Sequence, residues 1–395
     1  MARSKQHRHL PRTIRVLTLA TLCAAILGVA GRAQTFTVLH TFTGGADGGG
    51  PIVGLTIDAA GNLYGTTTSG GPGGYGTVFK MTRRGSGWEF STLYSFHGAD
   101  GEEPESRVIF GPDGTLYGTT NMGGGDGCGY LDGCGVVFRL RPPASACKTA
   151  ICYWTENVIY GDFGFNANFP FGDIAFDQQG NLYGIAGDIY QLMPSNGSWT
   201  LNVINQTVGS YNGVTFDASG NLYGAEDNLI WRLVPSDGQW IEQDLYNTNN
   251  QTQGEGIGGL AFDQAGNIYA GSTTGGPNGG GTAFELTQSD GSWVFNLLHA
   301  FSGNGGPYNG KLLPDAAGNV YGTALSDGAG NEGSAFKLTP SNGGWSYTDL
   351  HDFHGPDGCY PNNSMVMDAS GNVYGTTEGC GMGNPAYGVV FEITP

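Results

Sequence analysis

From residue 34 onward the apolar positions fall into short runs separated by turns rich in Gly, Asp and Asn, and no stretch keeps a helical period. β-Branched and aromatic residues fill the runs, so the pattern predicts strands. Val214-Thr215-Phe216 reads as one strand, Asp217-Ala218-Ser219-Gly220-Asn221 as a turn, and Leu222-Tyr223 as the strand that returns. In such a turn the Asp side chain accepts backbone N–H bonds and the Gly takes a positive φ.

This strand–turn–strand unit recurs seven times, with its turn glycine at Gly61, Gly114, Gly180, Gly220, Gly266, Gly318 and Gly371. The spacings of 53, 66, 40, 46, 52 and 53 residues suit a four-stranded propeller blade with loops of variable length. Strands a and b flank the turn. Strand c follows a Gly-rich loop, as in Gly76-Thr77-Val78-Phe79-Lys80, and strand d opens on Trp88, Trp154, Trp199, Trp240, Trp293 or Trp345. Blade 2 departs from the turn pattern, with Gly111 at the Asp position and Thr115 at the Asn position.

The seventh unit ends at Phe391 without a strand d, whereas Phe36 to Phe42 reads as a strand d with no unit before it. Pairing the two removes two open sheet edges, which predicts an all-β, single seven-bladed β-propeller over residues 34–395, closed by its N-terminal strand. The string Gly61-Asn62-Leu63-Tyr64-Gly65-Thr66-Thr67, then Gly76 to Lys80, then Leu93-Tyr94-Ser95-Phe96 resembles the Gloeo/Verruco (GloVer) tandem repeat of secreted bacterial proteins. The resemblance spans essentially residues 35–395 and implies export and a repeat fold. It supplies no activity or catalytic residues to carry over.

Residues 1–33 combine a basic start with the apolar run Val16 to Ala30 and small residues at Gly31 and Ala33, which predicts a signal peptide cut after Ala33. Leu22 before Cys23 argues against a lipid-attachment site. No second long apolar segment follows, so the expected location is secreted or periplasmic, without membrane insertion after signal removal. Removal of the six cations before residue 34 leaves ten against 34 acids, a net charge of −24 that repels nucleic acid and anionic membranes.

Six cysteines remain, an even number that suggests disulfides in an exported chain. The expected pairs are Cys128–Cys134, Cys147–Cys152 and Cys359–Cys380. Neither their spacing nor any neighbouring His resembles a zinc knuckle.

Short turns mark one face of the ring, and long Gly-rich loops with the blade-to-blade connections mark the other. Loops on a rigid scaffold commonly carry function, which favours the second face. Four positions before each turn Asp, where the inner strands enter from that face, stand Gly54, Arg107, Asp173, Gly213, Gly259, Lys311 and Ser364. Arg107, Asp173 and Lys311 are candidates to meet at the channel mouth and bind an anionic or polyhydroxyl group, or else to form a structural ion pair. The loop aromatics Tyr75, Tyr130, Tyr308, Tyr360 and Tyr387 are further candidate ligand contacts.

No catalytic residue is assigned. His40, His299 and His351 share the strand d position of Tyr94, which points to packing, and the turn aspartates stand one per blade. Phosphate loops and EF-hands are absent, and no cofactor or metal is expected. The expected function is an exported, non-catalytic binding or scaffold propeller, monomeric, presenting its loop face to a glycan, cell-envelope component or protein. The alternative is an extracellular carbohydrate-active enzyme, a lyase or hydrolase, with its site at the channel mouth.

Overall fold

The computed structural model describes residues 34–125, 133–143, 154–161, 163, 169–206, 212–303, 305–308, 310–382 and 387–394. The unit Phe36–Thr394 is a ring of antiparallel sheets, one per sequence repeat, and forms a seven-bladed β-propeller. Blade 1 runs Thr56–Ile57, Leu63–Thr67, Thr77–Arg84 and Gly87–Ser95, and blade 4 runs Thr215–Phe216, Leu222–Glu226, Leu229–Ser236 and Gln239–Asn247. Blade 5 departs from the four-strand plan, because Glu255–Ile257 and Ala261–Phe262 both pair with Ile268–Thr274 and split its inner strand in two.

Blade 7 closes the ring: Thr35–Thr41 lies beside Val389–Thr394 as its outermost strand. Phe42 N donates to Gly388 O at 3.0 Å, and the buried Thr376 hydroxyl donates to Pro51 O at 2.9 Å. The first bond uses backbone groups that an open edge would leave to solvent, and the second ties blade 7 to the connection that enters blade 1.

Each apolar cluster sits at a junction between blades. Seven clusters cover the seven junctions, including Phe42, Leu55, Leu63, Phe79, Val366, Tyr374 and Val390, where blade 7 meets blade 1. Strands b and c are covered on both faces and are buried almost throughout, whereas strand d alternates as an edge with one wet face.

The Tyr-Gly pair has a physical cause at each position. A Cβ on Gly65 would stand 2.5 Å from the Phe79 ring across the b–c pairing, so the small residue admits the large one. Tyr64 reaches into the next blade, edge-on to Phe110 and Trp154, and Tyr117 and Tyr183 repeat this against Phe176 with Trp199 and Phe216 with Trp240. The Trp that opens strand d is therefore a junction residue.

The tyrosine hydroxyl ends on the turn. Asp58 Oδ1 accepts the N–H groups of Ala60 and Asn62, while its Oδ2 accepts Asn62 Nδ2 and the Tyr64 hydroxyl at 3.0 Å. Burial disfavours this carboxylate, yet the four bonds outweigh it and hold its pKa below the ordinary range. Blade 2 keeps the bond by a different route: Asp113, two residues after Gly111, accepts the Tyr117 hydroxyl at 3.3 Å.

Candidate functional site

The residues that enter the channel from the loop face are held by the short strands a, which line the axis. Three of the seven ring positions carry charge, and the structure joins all three. Asp173 Oδ2 accepts from Arg107 Nη2 at 2.9 Å and from Lys311 Nζ at 3.0 Å, so one carboxylate oxygen ties together blades 2, 3 and 6. The three side chains are 22, 13 and 16 % exposed, which makes this a largely desolvated cluster and not a solvated rim.

The small residues at the other ring positions make the cluster possible. A Cβ on Gly259 would stand 2.5 Å from the Lys311 Cγ, and one on Gly213 would overlap the Asp173 backbone. Gly213 also pairs with Asp173 in a parallel bridge, and Ser364 Oγ accepts the Lys311 N–H at 2.8 Å. Burial raises the Asp173 pKa and the two cations lower it; the cations win, and the carboxylate titrates below its ordinary range. Burial likewise lowers the Lys311 pKa against the pull of Asp173.

A cavity of about 370 Å³ opens beside the cluster. Asp173 and Lys311 line it together with Glu105, Tyr308, Asn362 and Asn363. Burial raises the Glu105 pKa, with Glu103 adding to the effect, and Glu105 Oε2 accepts from Asn121 Nδ2 at 2.6 Å. The buried Oδ1 atoms of Asn362 and Asn363 have no hydrogen-bond partner among the described residues, nor has the buried Nε of Arg107.

Of the loop tyrosines, Tyr308 lines this cavity. Tyr360 is exposed at a left-handed backbone position, φ 58°, outside the cavity lining. Tyr75 and Tyr387 are junction wedges: the Tyr387 ring fills the space over Gly44 and Gly49, and the Tyr75 ring that over Gly73 and Gly98. Tyr130 lies outside the described residues. Glu105, Asn362 and Asn363 escaped the sequence reading, although a scan one or two positions before the ring residue would have found them.

Cys359 and Cys380 form a disulfide that ties the connection entering blade 7 to the b–c loop of the same blade. Cys134 is disulfide-bonded. Cys128, Cys147 and Cys152 lie outside the described residues.

The repeated histidines are junction residues. His40 stacks on Phe90, His299 on Tyr347 and His351 on Phe36, each on strand d of the following blade. His40 bonds Asp47 and His351 bonds Asp357, as Tyr94 bonds Asp100. Among the described residues no group of three or more His, Cys, Asp or Glu could hold a metal, and no helix is long and apolar enough to cross a membrane.

The chain belongs to the Gloeobacter/Verrucomicrobia repeat family, which matches residues 25–228 and 225–395. No curated protein matches it. Among solved structures, it is similar to YCF48 from Cyanidioschyzon merolae, with a TM-score of 0.55 at 13 % identity over 91 % of this chain and 98 % of that one. It is also similar to the PL25 ulvan lyase bound to -[GlcA(1-4)Rha3S]-, with a TM-score of 0.52 at 10 % identity over 87 % and 94 %. At these identities the likeness is one of fold.

Proposed function

We propose that the protein is an exported binding propeller whose channel mouth holds a hydroxyl-rich, glycan-type ligand. The observation that carries this reading is the pairing of unused hydrogen-bonding groups around one cavity. Asn362 and Asn363 offer buried acceptors, while the Lys311 ammonium, a three-proton donor, has Asp173 as its one ion-pair partner among the described residues. A sugar hydroxyl both donates and accepts, so adjacent hydroxyls satisfy both sets at once. The basic, apolar leader and the Cys359–Cys380 bridge support a site outside the cytoplasm.

A second reading, a polysaccharide lyase or hydrolase, is favoured by one feature of the same cavity. Burial raises the pKa of Glu105 and lowers that of Lys311, which brings an acid and a base toward neutrality beside the Tyr308 phenol.

One experiment separates the two. The mature protein is incubated with a panel of neutral and acidic polysaccharides, and binding and fragments are followed by calorimetry and mass spectrometry against heat-denatured protein. Binding without fragments, lost in Lys311→Met, is the expected result. Fragments made only by the native protein establish the enzymatic reading, and absence of binding across the panel overturns the site.

A further inference from the structure

On the opposite face, between blades 3 and 4, lies a second cavity of about 500 Å³, larger than the channel cavity and within the range that encloses a small ligand. Its aromatic wall is the standard junction: Tyr183 of blade 3 stands edge-on to Phe216 and Trp240 of blade 4. The same Tyr–Phe–Trp set recurs at the junctions of blades 1 and 2, 2 and 3, and 4 and 5, so the aromatics alone do not single this one out.

The residue on strand c that pairs across from the tyrosine does. In six blades it is charged: Lys80, Arg139, Arg232, Glu285, Lys337 and Glu392. Lys80, Arg232 and Lys337 lie over the tyrosine ring of their own blade at 5.2, 5.9 and 5.2 Å, and Glu285 and Glu392 accept the tyrosine hydroxyl. Blade 3 alone carries an amide, Gln191. Its a–b turn is also the only one with two amides, Gln178 and Gln179, between the Asp and the Gly. Asn202 on strand d and Gln239 from blade 4 add two more amides to the lining, with Ser219 beside them.

Both turn carboxylates here are spent. Asp177 accepts Gln179 N, Asn181 N, Asn181 Nδ2 and the Tyr183 hydroxyl, and Asp217 accepts the four equivalent groups. The amides and the Ser219 hydroxyl remain as side-chain groups that can bond a ligand. Asn202 Nδ2 donates to Gln191 Oε1, and Gln191 Nε2 donates to the Tyr183 hydroxyl, so Gln191 is fixed in orientation and the Asn202 carbonyl oxygen ends the chain unused within it.

We propose that this groove is a separate binding site for an uncharged saccharide. A pyranose ring has a C–H face that suits an aromatic surface, here the half-buried Trp240 of the lining, and rim hydroxyls that suit planar amides, which donate and accept side by side. An anionic ligand would find no cation in this lining and would meet the two turn carboxylates, Asp177 and Asp217. The site is independent of the channel, because it lies on the turn face and shares no lining residue with the channel cavity.

The test uses the mature protein and uncharged hexasaccharides of gluco, galacto, manno and xylo configuration, with affinity read by titration calorimetry. The informative variant is Gln191→Lys, which installs the residue that Lys80 already presents over Tyr64 and leaves the blade plan intact. Its melting temperature, measured in parallel, checks the fold. The expected result is that at least one hexasaccharide binds, that Gln191→Lys weakens it by roughly tenfold or more, and that Lys337→Gln, at the same position in blade 6, leaves it unchanged. Gln178→Ala combined with Gln239→Ala weakens it in the same sense. Failure of all four sugars to bind, or affinity equal in the wild type and Gln191→Lys, overturns the proposal. Loss in Lys311→Met alone assigns the sugar to the channel and overturns it too.

Discussion

Replacing Asp173 by asparagine should destabilise the ring several times more than replacing Lys311 by methionine. One Asp173 oxygen holds both cations, at 2.9 and 3.0 Å, and the three side chains are at most 22 % exposed. Taking one partner from a buried ion pair costs about 3–5 kcal/mol, because the remaining charge stays desolvated. Two cations are stranded here, but asparagine keeps one amide oxygen toward them, so about 3 kcal/mol is the expected loss. Lys311→Met removes a desolvated cation, leaves the Arg107–Asp173 pair whole, and should change stability by about 1 kcal/mol or less in either direction. For a ring of this length, an unfolding entropy of about 2.1 cal/mol/K per residue converts 3 kcal/mol into a melting shift of about 4 °C. Differential scanning calorimetry at neutral pH reads both variants. The double variant should recover part of the asparagine loss, since one stranded cation is gone. A pH series adds a sign. Burial raises the Asp173 pKa but the two cations outweigh it, so its stabilisation is whole above the unfolded-state value near 3.9 and is lost as pH falls through the lower folded value. The gap between wild type and Asp173→Asn should therefore narrow at acid pH. Equal losses in Asp173→Asn and Lys311→Met would refute the reasoning.

Further outcomes follow from the same geometry. Replacing Cys359 and Cys380 by serine opens a loop with a sequence separation of 21, for which chain entropy gives about 3 kcal/mol, so calorimetry should find the melting point about 4 °C lower. Burial lowers the pKa values of His40, His299 and His351 against the pull of nearby carboxylates, so the unfolded chain binds protons near pH 6.5 that the folded ring refuses. Stability should therefore fall as pH drops below about 6.5, and urea midpoints at pH 8 and 5 should differ less in the variant carrying tyrosine at all three positions; an unchanged difference counts against it. Gly224→Ala places a Cβ against the Trp231 indole, which should cost about 1–3 kcal/mol by urea denaturation. Blade 5 already carries Ala270 at that position, opposite the smaller Phe284, so Ala270→Gly should gain nothing.

The blades were legible because each repeated residue performs the same local task in blade after blade, the turn Asp and Asn in six of the seven. Asp217, Gly220, Asn221 and Tyr223 close a turn and a junction through bonds within seven residues, and the same types recur at the same offsets. The ring could be read from the unpaired strands at the two ends. The channel cluster could be read only as far as its members. Lys311 meets Asp173 across the ring, and no local pattern says which of seven inner strands face each other over an axis. Blade 2 shows a smaller limit of the same kind: Gly111 breaks the motif, and only the fold reveals that Asp113 takes over its bond. The second inner segment of blade 5, Glu255–Ile257, is another, since it pairs with the same strand as Ala261–Phe262 and has no counterpart in the other repeats. Tyr75 and Tyr387 stand among glycines and so read as loop residues; the glycines are there because the rings lie on them.

Residues that all seven units share are accounted for by packing and turn closure, so the informative positions are those that break the repeat while the packing tolerates them. Two such breaks are sharp, and they are opposite in sign. At the channel mouth Arg107, Asp173 and Lys311 place charge where the other blades carry glycine or serine. At the junction of blades 3 and 4, Gln191 is neutral where the other blades carry charge. The cavities beside them open on opposite faces and share no lining residue, so one short saccharide cannot occupy both. Two sites without a shared partner should contribute independently. Lys311→Met and Gln191→Lys should therefore combine additively in binding free energy, within about 0.5 kcal/mol, when a single ligand solution fills both sites. A larger departure would mean that the ring transmits a change from one face to the other, and the junction between blades 3 and 4 would then have to be treated as part of the channel site.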